Sequence, residues 1–334
     1  MTRVEFGLGL QGDKSAGEYA RLAVLAESYE FDVLSVFGDL MFQPPIFPLL
    51  EMARVTARVR LGAACWNPYS LHPYEIAGQV AVLDLASGGR AYLGLARGAW
   101  LDSVSIRRHR PVRVLDEAIA VIRMLLAGDD GGFAGEVFQV APGTRFGFAT
   151  RRPAVPVLLG AWGPRTAALA GRVADELKVG GTANPDMVRV MRDRAAVGTT
   201  EAGRTADDLG LVVGAVTVVD EDAGLARARA RREVAMYLGV VAGLDPTVDV
   251  PADLLAEITR HVGSGRHQDV GALIPDDLLD RFAFSGTPEQ VAEQAQRLID
   301  AGVSRVEFGT PHGLTDARGI ELLGSRVLPL LTRG

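Results

Sequence analysis

The sequence predicts an α/β protein of the TIM type, a (β/α)8 barrel in which each of eight parallel strands is followed by a helix. Short apolar runs alternate with amphipathic stretches almost from end to end, the pattern of a parallel sheet. A pentapeptide near the start, Arg3-Val4-Glu5-Phe6-Gly7, returns near the end as Arg305-Val306-Glu307-Phe308-Gly309. These would be the first and last strands, which are neighbours only if the sheet closes. Composition agrees: 334 residues, 48% hydrophobic and 23% charged, hold ample apolar surface for a core and exclude a disordered or collagen-like chain.

The elements follow in order. Arg3 to Leu10 reads as the first strand and Gly17 to Glu30 as its helix. Val33 to Phe37 is the second strand, followed by a helix rich in Leu49, Leu50, Met52 and Val55. Arg60 to Trp66 and Ala91 to Ala96 are the third and fourth strands, with a helix from His72 to Leu85 between them. A helix over Val112–Leu126 stops at Gly128, where a C-terminal glycine is expected. The Gly-rich stretch 129–152 reads as an insertion holding a small hairpin around Glu136–Val140. Strands return at Val155–Gly160, Glu176–Gly180, Leu211–Val219 and Val303–Phe308. The gap before the last of these is too long for one helix. Residues 221–284, with Arg227, Arg231, Arg232 and a Pro-bounded stretch from Leu244 to Pro251, therefore read as a helical insertion within a single domain of residues 1–334. The helix after Thr287 is signalled by an N-cap threonine, Pro288 at its first position and Gln290 as capping-box residue.

Strand alternation sends Val4, Phe6 and Leu8 to one face and Glu5, Gly7 and Gly9 to the other. The apolar face must meet the helices, so Glu5, Glu307 and Lys178 are expected in a polar layer inside the barrel, since buried charge needs a partner.

The net charge of −6 argues against the broad basic surface that nucleic acid requires. Cys65 is the only cysteine, so no internal disulfide forms and a reducing, cytoplasmic setting is expected. The first residues lack the apolar run of a leader, and no stretch approaches the ~18 apolar residues of a membrane span.

Gly7-Leu8-Gly9-Leu10-Gln11-Gly12 fits the GxGxxG spacing of a dinucleotide turn, but Asp13 would set a carboxylate where a pyrophosphate should lie. The glycines read instead as room for a ligand ring at a crowded barrel mouth. Gly160-Ala161-Trp162-Gly163-Pro164 and Gly180-Gly181-Thr182-Ala183-Asn184-Pro185 each follow a strand and open a helix. That is the place where this architecture binds phosphate. Asp39 stands just past the second strand, where a barrel puts its chemistry, or else caps a turn. Cys65 is a nucleophile or a buried structural thiol, and His72 reads as a helix cap. The five histidines show no metal spacing and no GxSxG elbow is present, so no metal is expected and acyl transfer is a poor fit.

The segment Leu83-Asp84-Leu85-Ala86-Ser87-Gly88-Gly89-Arg90 through Leu93-Gly94-Leu95-Ala96-Arg97-Gly98 resembles the signature of the luciferase-like (bacterial luciferase) superfamily. So do Leu61-Gly62, Asn67-Pro68, His72-Pro73, Ala174-Asp175 and Phe308-Gly309-Thr310-Pro311. The chain looks most like the branch that uses the deazaflavin coenzyme F420 and is related to methylenetetrahydromethanopterin reductase.

That resemblance implies several roles. A non-prolyl cis peptide behind the cofactor ring falls at Ala64-Cys65. Asp39 matches the acidic residue near the pyrimidine end. Asn67, Arg97 and Gly98 match ring- and tail-lining positions, and Gly160, Ala161, Trp162, Gly163, Pro164, Gly180, Gly181 and Thr182 match phosphate and side-chain contacts. A homodimer through the helices after the second and third strands is likewise implied. The sugar-phosphate dehydrogenases of the branch carry a histidine and a glutamate where this chain has Leu40 and Ala99, and the first-strand glutamate of the pterin reductases corresponds to Gly9.

The expected activity is hydride transfer between C5 of F420 and a C=C, C=N or iminium carbon of a small molecule, possible substrates including a pterin-like methylene compound. A cationic acceptor needs no side-chain acid. Otherwise Asp39, His312 or water delivers the proton. Gln11, Met41, Trp66 and Trp100, with Phe42, are expected on the substrate side, core packing being the other reading of the aromatic residues. A monooxygenase using reduced FMN and a non-catalytic flavin-binding barrel are the rival readings.

Overall fold

Runs of aliphatic residues with no polar face, such as Val33–Val36 and Val157–Gly160, are stable only where both faces are covered, as in a parallel sheet lined outside by helices. In the computed structural model, which describes residues 3–263 and 271–333, eleven strands form. They are β1 (Glu5–Leu10), β2 (Val33–Val36), β3 (Arg60–Ala63), β4 (Leu93–Leu95), β5 (Phe133–Ala134), β6 (Gln139–Val140), β7 (Val157–Gly160), β8 (Glu176–Gly180), β9 (Gly210–Val219), β10 (Ala283–Gly286) and β11 (Arg305–Gly313). The parallel sheet runs β3-β2-β1-β11-β9-β8-β7-β4. It closes through bridges from Leu61 to Ala91 and from Trp66 to Leu95, completing the eight-stranded barrel. Among the described residues no helix is long and apolar enough to cross a membrane.

The repeated pentapeptides are indeed neighbours. Their register is staggered: Glu5 lies opposite Arg305 and Gly7 opposite Glu307, so the two glutamates sit at different heights in the barrel. Each height has its own charge network. In the lower one Arg60 bridges Glu5 and Glu176, and Arg305, fully buried, reaches Glu176 at 3.3 Å. In the upper one Lys178 pairs with Glu307, which also accepts the Ser35 hydroxyl at 2.8 Å, and Ser35 bonds Tyr92 at 2.8 Å. The apolar faces point outward, where Phe6, Leu8 and Leu10 share a core with Leu22, Ala23 and Ala26 of α1 (Glu18–Ser28).

Further helices include α2 (Ile46–Ala53), α3 (Pro73–Ala86), α4 (Pro111–Leu126), α5 (Pro164–Val173), α6 (Asp186–Glu201), α7 (Ala223–Val241) and α8 (Ala252–Gly263). His72 caps α3, its Nδ1 accepting the Tyr74 N–H at 3.1 Å. The 129–152 stretch holds the expected hairpin, β5 with β6, whose turn is fixed by Glu117 of α4 accepting the backbone N–H groups of Glu136, Val137 and Phe138. Thr287 and Gln290 form the capping box at the start of the helix Pro288–Asp300.

Several strand boundaries differ from the sequence reading, and one strand was not read at all. The third strand stops at Ala63, after which the Ala64–Cys65 peptide is cis and Trp66 makes only a single bridge. The last strand continues to Gly313, with a register shift between Gly309 and His312. Strand β10 was not read from the sequence because Ala283-Phe284-Ser285-Gly286 is too short to show a period. It pairs with Val216–Val219 of β9, beyond the point where β8 ends opposite Gly214.

Candidate active site

Inward positions shrink toward the C-terminal ends of the strands. Below lie Arg305, Glu307 and Tyr92; above them come Ala64, Ala96, Gly160, Gly180, Gly214 and Gly309. The missing side chains leave two adjoining cavities at the mouth, sharing Asp39, Ala64, Ala99, Trp100 and Lys178. The outer cavity, about 560 Å³, runs along Ala64 and Cys65, past Arg97 and Gly98, to Gly160, Ala161, Trp162, Gly163 and Thr166. The inner cavity, about 230 Å³, lies over Glu307 and Lys178 and is walled by Phe37, Thr310 and Phe282 and by Glu233, Tyr237 and Val240 of α7.

Asp39 sits where the two meet. Gln11 donates from Nε2 to its Oδ2 at 3.4 Å. Burial raises the Asp39 pKa, and the Gln11 hydrogen bond and the Lys178 charge offset that only in part. Cys65 lies at the cavity floor, where burial pushes its thiol up to about 12. It is therefore a neutral packing group and not a nucleophile. Burial would raise Glu307 too, but the Lys178 and Arg305 charges overcome it and hold that carboxyl below the usual range.

The two glycine-rich loops, alike in sequence, differ in what they offer. At the start of α5, Gly163 caps with no side chain, and among the described residues no protein group takes the N–H of Gly163, Arg165 or Thr166. Arg97, whose guanidinium is exposed and has no ion pair among those residues, lines the same outer cavity. In the second loop the N–H groups of Gly181 and Thr182 both donate to the Gly214 carbonyl, at 2.7 and 3.1 Å, and are not available to a phosphate. Gly180 and Gly181 line the cavity, but Thr182 is buried and accepts the Asn184 N–H at 3.1 Å.

Several expected site residues are corrected. Asn67 lines neither cavity: its Oδ1 accepts the Tyr69 and Ser70 N–H groups at 3.2 and 2.9 Å, closing the turn into α3 beneath Gly98. Trp66 is 2% exposed in the core, with Nε1 donating to Gln79 at 3.0 Å. Met41 is 70% exposed, pointing outward from the loop after β2. Gln11 is buried behind Asp39 and orients it without facing the cavity. Pro164 starts α5 without lining the cavity. His312, fully buried, lies 3.3 Å from Asp316 of the following helix and lines neither cavity, so it does not reach a substrate there. Trp100 lines both cavities.

Sequence reasoning missed Glu233 and Tyr237. Their spacing of four does place them on one face of α7, but the same spacing marks an ordinary solvated helix face.

Comparison with known proteins gives consistent relatives. The 5,10-methylenetetrahydromethanopterin reductase of Archaeoglobus fulgidus is 29% identical over 98% of this chain and 100% of its own length. The F420-dependent glucose-6-phosphate dehydrogenase of Nakamurella multipartita is 27% identical over 98% and 96%. The solved coenzyme F420-dependent tetrahydromethanopterin reductase of Methanopyrus kandleri shares the fold with a TM-score of 0.86 at 24% identity, covering 99% of this chain and 100% of that one. The luciferase-like monooxygenase model matches residues 1–305, and the chain belongs to that family.

Proposed function

We propose that the protein is a coenzyme F420-dependent oxidoreductase that moves a hydride between the deazaflavin and a small organic substrate. The outer cavity carries the reading. It is lined by small residues, by the Arg97 guanidinium, which has no ion pair among the described residues, and by the start of α5 with its unpaired N–H groups, and it shares a wall with a second, smaller chamber. Full-length likeness to F420-dependent enzymes supports it.

The residues present fit the group. A Cβ on Gly160 would stand 3.3 Å from Cys65 Sγ and 3.1 Å from the Ala96 side chain, filling the slot, whereas nothing of the chain lies within 4 Å of a Cβ on Gly163. When bound, the deazaflavin supplies a two-electron hydride carrier at C5. Ala64 and Cys65 back one face of the slot, and Arg97 with the first amides of α5 neutralises the acidic tail. Trp100, Val240 and Val241 close the chamber against water, which strengthens every charge interaction inside. Leu40 and Ala99 replace the histidine and glutamate of the sugar-phosphate dehydrogenases, so that acid–base pair is not in play. Asp39 is the carboxyl group where the two cavities meet, and Gln11 fixes its orientation.

The assembly proposed is a homodimer formed through α2 and α3, which carry Phe47 (65% exposed), Val82 (40%) and Leu85 (43%). A cytoplasmic setting suits the lone thiol at the cavity floor.

Titrating the protein with F420, FMN, FAD and NADPH while following tryptophan emission tests the reading. Trp100 and Trp162 line the cavities and should be quenched by F420, and Trp100→Phe with Trp162→Phe should abolish most of that signal. Aerobic turnover with reduced FMN, and none with reduced F420, would replace the proposal with a monooxygenase. F420 binding with no acceptor able to oxidise the bound reduced form would leave a non-catalytic barrel.

A further inference from the structure

The inner cavity contains a donor that the chain leaves unused. Tyr237 of α7 lines it beside Trp100, the ring centroids 5.9 Å apart at 60°, and its hydroxyl has no acceptor among the described residues. Glu233, one helical turn earlier, and Asp39, from the end of β2, line the same chamber. The one lining cation, Lys178, is held by Glu307. Glu233 is paired with Arg229 at 2.8 Å, so a negatively charged substrate group would meet the Asp39 carboxyl and no free cation among the lining residues. An uncharged hydrogen-bond acceptor would meet an idle phenol.

Resting on the hydride-transfer reading above, we infer that Tyr237 is the proton donor of the inner cavity and that its substrate presents an uncharged C=O or C=N group. As hydride from the two-electron reduced deazaflavin adds to the carbon, the π pair moves onto the oxygen or nitrogen. That atom takes the proton from Tyr237 Oη to form O–H or N–H. Loss of the hydride from carbon and of the ring N–H proton to solvent leaves the deazaflavin oxidised, and the phenolate regains its proton from solvent. Burial, reinforced by the negative charges of Asp39 and Glu233, raises the Tyr237 pKa, so the donor stays loaded at neutral pH. A donor arriving from α7 supplies what Leu40 and Ala99 no longer can.

Tyr237→Phe keeps the ring against Trp100 and removes only the hydroxyl. Without cofactor, isobutyramide, a neutral amide that accepts a hydrogen bond but is not reduced, serves as the probe. Its dissociation constant, read from tryptophan emission, should rise about tenfold in the variant. With reduced F420 and a panel of small neutral ketones and aldehydes, kcat should fall about 100-fold or more while F420 affinity holds. A preformed N-alkyl iminium, which needs no proton, should be reduced equally by both proteins. In the wild type a solvent deuterium isotope effect should accompany carbonyl reduction and be absent with the iminium. This readout does not depend on how the variant folds. Equal losses with both acceptors, unchanged amide binding and carbonyl turnover, or a wild type that binds F420 yet reduces no neutral carbonyl, would each overturn the assignment. Failure of the wild type to bind F420 would instead remove the hydride-transfer reading, and amide binding would then decide alone whether Tyr237 is a donor.

Discussion

Glu307 is 1% exposed and yet held ionised, because Lys178 and Ser35 both reach it. Breaking such a pair leaves an uncompensated buried charge, so Glu307→Gln should cost about 3–5 kcal/mol in urea unfolding. Glu5→Gln, at a half-buried site where Arg60 keeps Glu176 as a second partner, should cost less, about 1 kcal/mol. The sign of the pH dependence follows. Glu307 and Asp316 both have lowered pKa values, so their contribution is complete above the unfolded carboxylate value and is lost as pH falls through the folded one. The melting temperature should therefore hold at neutral pH and decline on acidification. Asp39 has the opposite sign: with its pKa raised, the protonated form favours the fold, and that benefit disappears as pH rises through the raised value. Asp39→Asn should raise the melting temperature at pH 7 while lowering turnover, measurable by calorimetry beside an F420 assay. Alternation alone made Glu307 and Lys178 legible in the sequence. It could not tell that Trp66 faces the core and Trp100 the cavity, because an aromatic side chain carries no mark of which wall it packs against.

Local signals read best where one element supplies its own caps. Thr287-Pro288-Glu289-Gln290 announced its helix and formed the reciprocal capping box, so Thr287→Ala should cost about 1 kcal/mol in urea unfolding. Strand packing was less legible, since it depends on partners far along the chain. A Cβ on Gly94 would stand 1.9 Å from the Ala63 carbonyl oxygen. Gly94→Ala should thus force β3 and β4 apart and give insoluble or strongly destabilised protein, while Gly163→Ala should fold normally. The two glycine loops show the same limit. Each reads as a phosphate site by itself, but only the fold reveals that Gly214 of β9 takes the amides of the second.

Across the whole molecule, the repeated pentapeptide made the pairing of the first and last strands legible, while closure itself rests on the bridges from Leu61 to Ala91 and from Trp66 to Leu95, which no local signal announced. The assembly is a surface property, and exposed apolar side chains are its trace. Phe47→Glu combined with Leu85→Glu should convert the proposed dimer to monomer in light scattering without loss of helical signal.

The chamber wall formed by α7 has an evolutionary corollary. The slot along Ala64 and Cys65 is cut from strand ends that the barrel cannot change without losing closure, whereas Glu233, Tyr237 and Val240 ride on a segment spliced between two strands. Selection can therefore rewrite the inner chamber by changing this excursion of the chain, provided that Val240, Val241 and Leu244, which also line the slot, are kept.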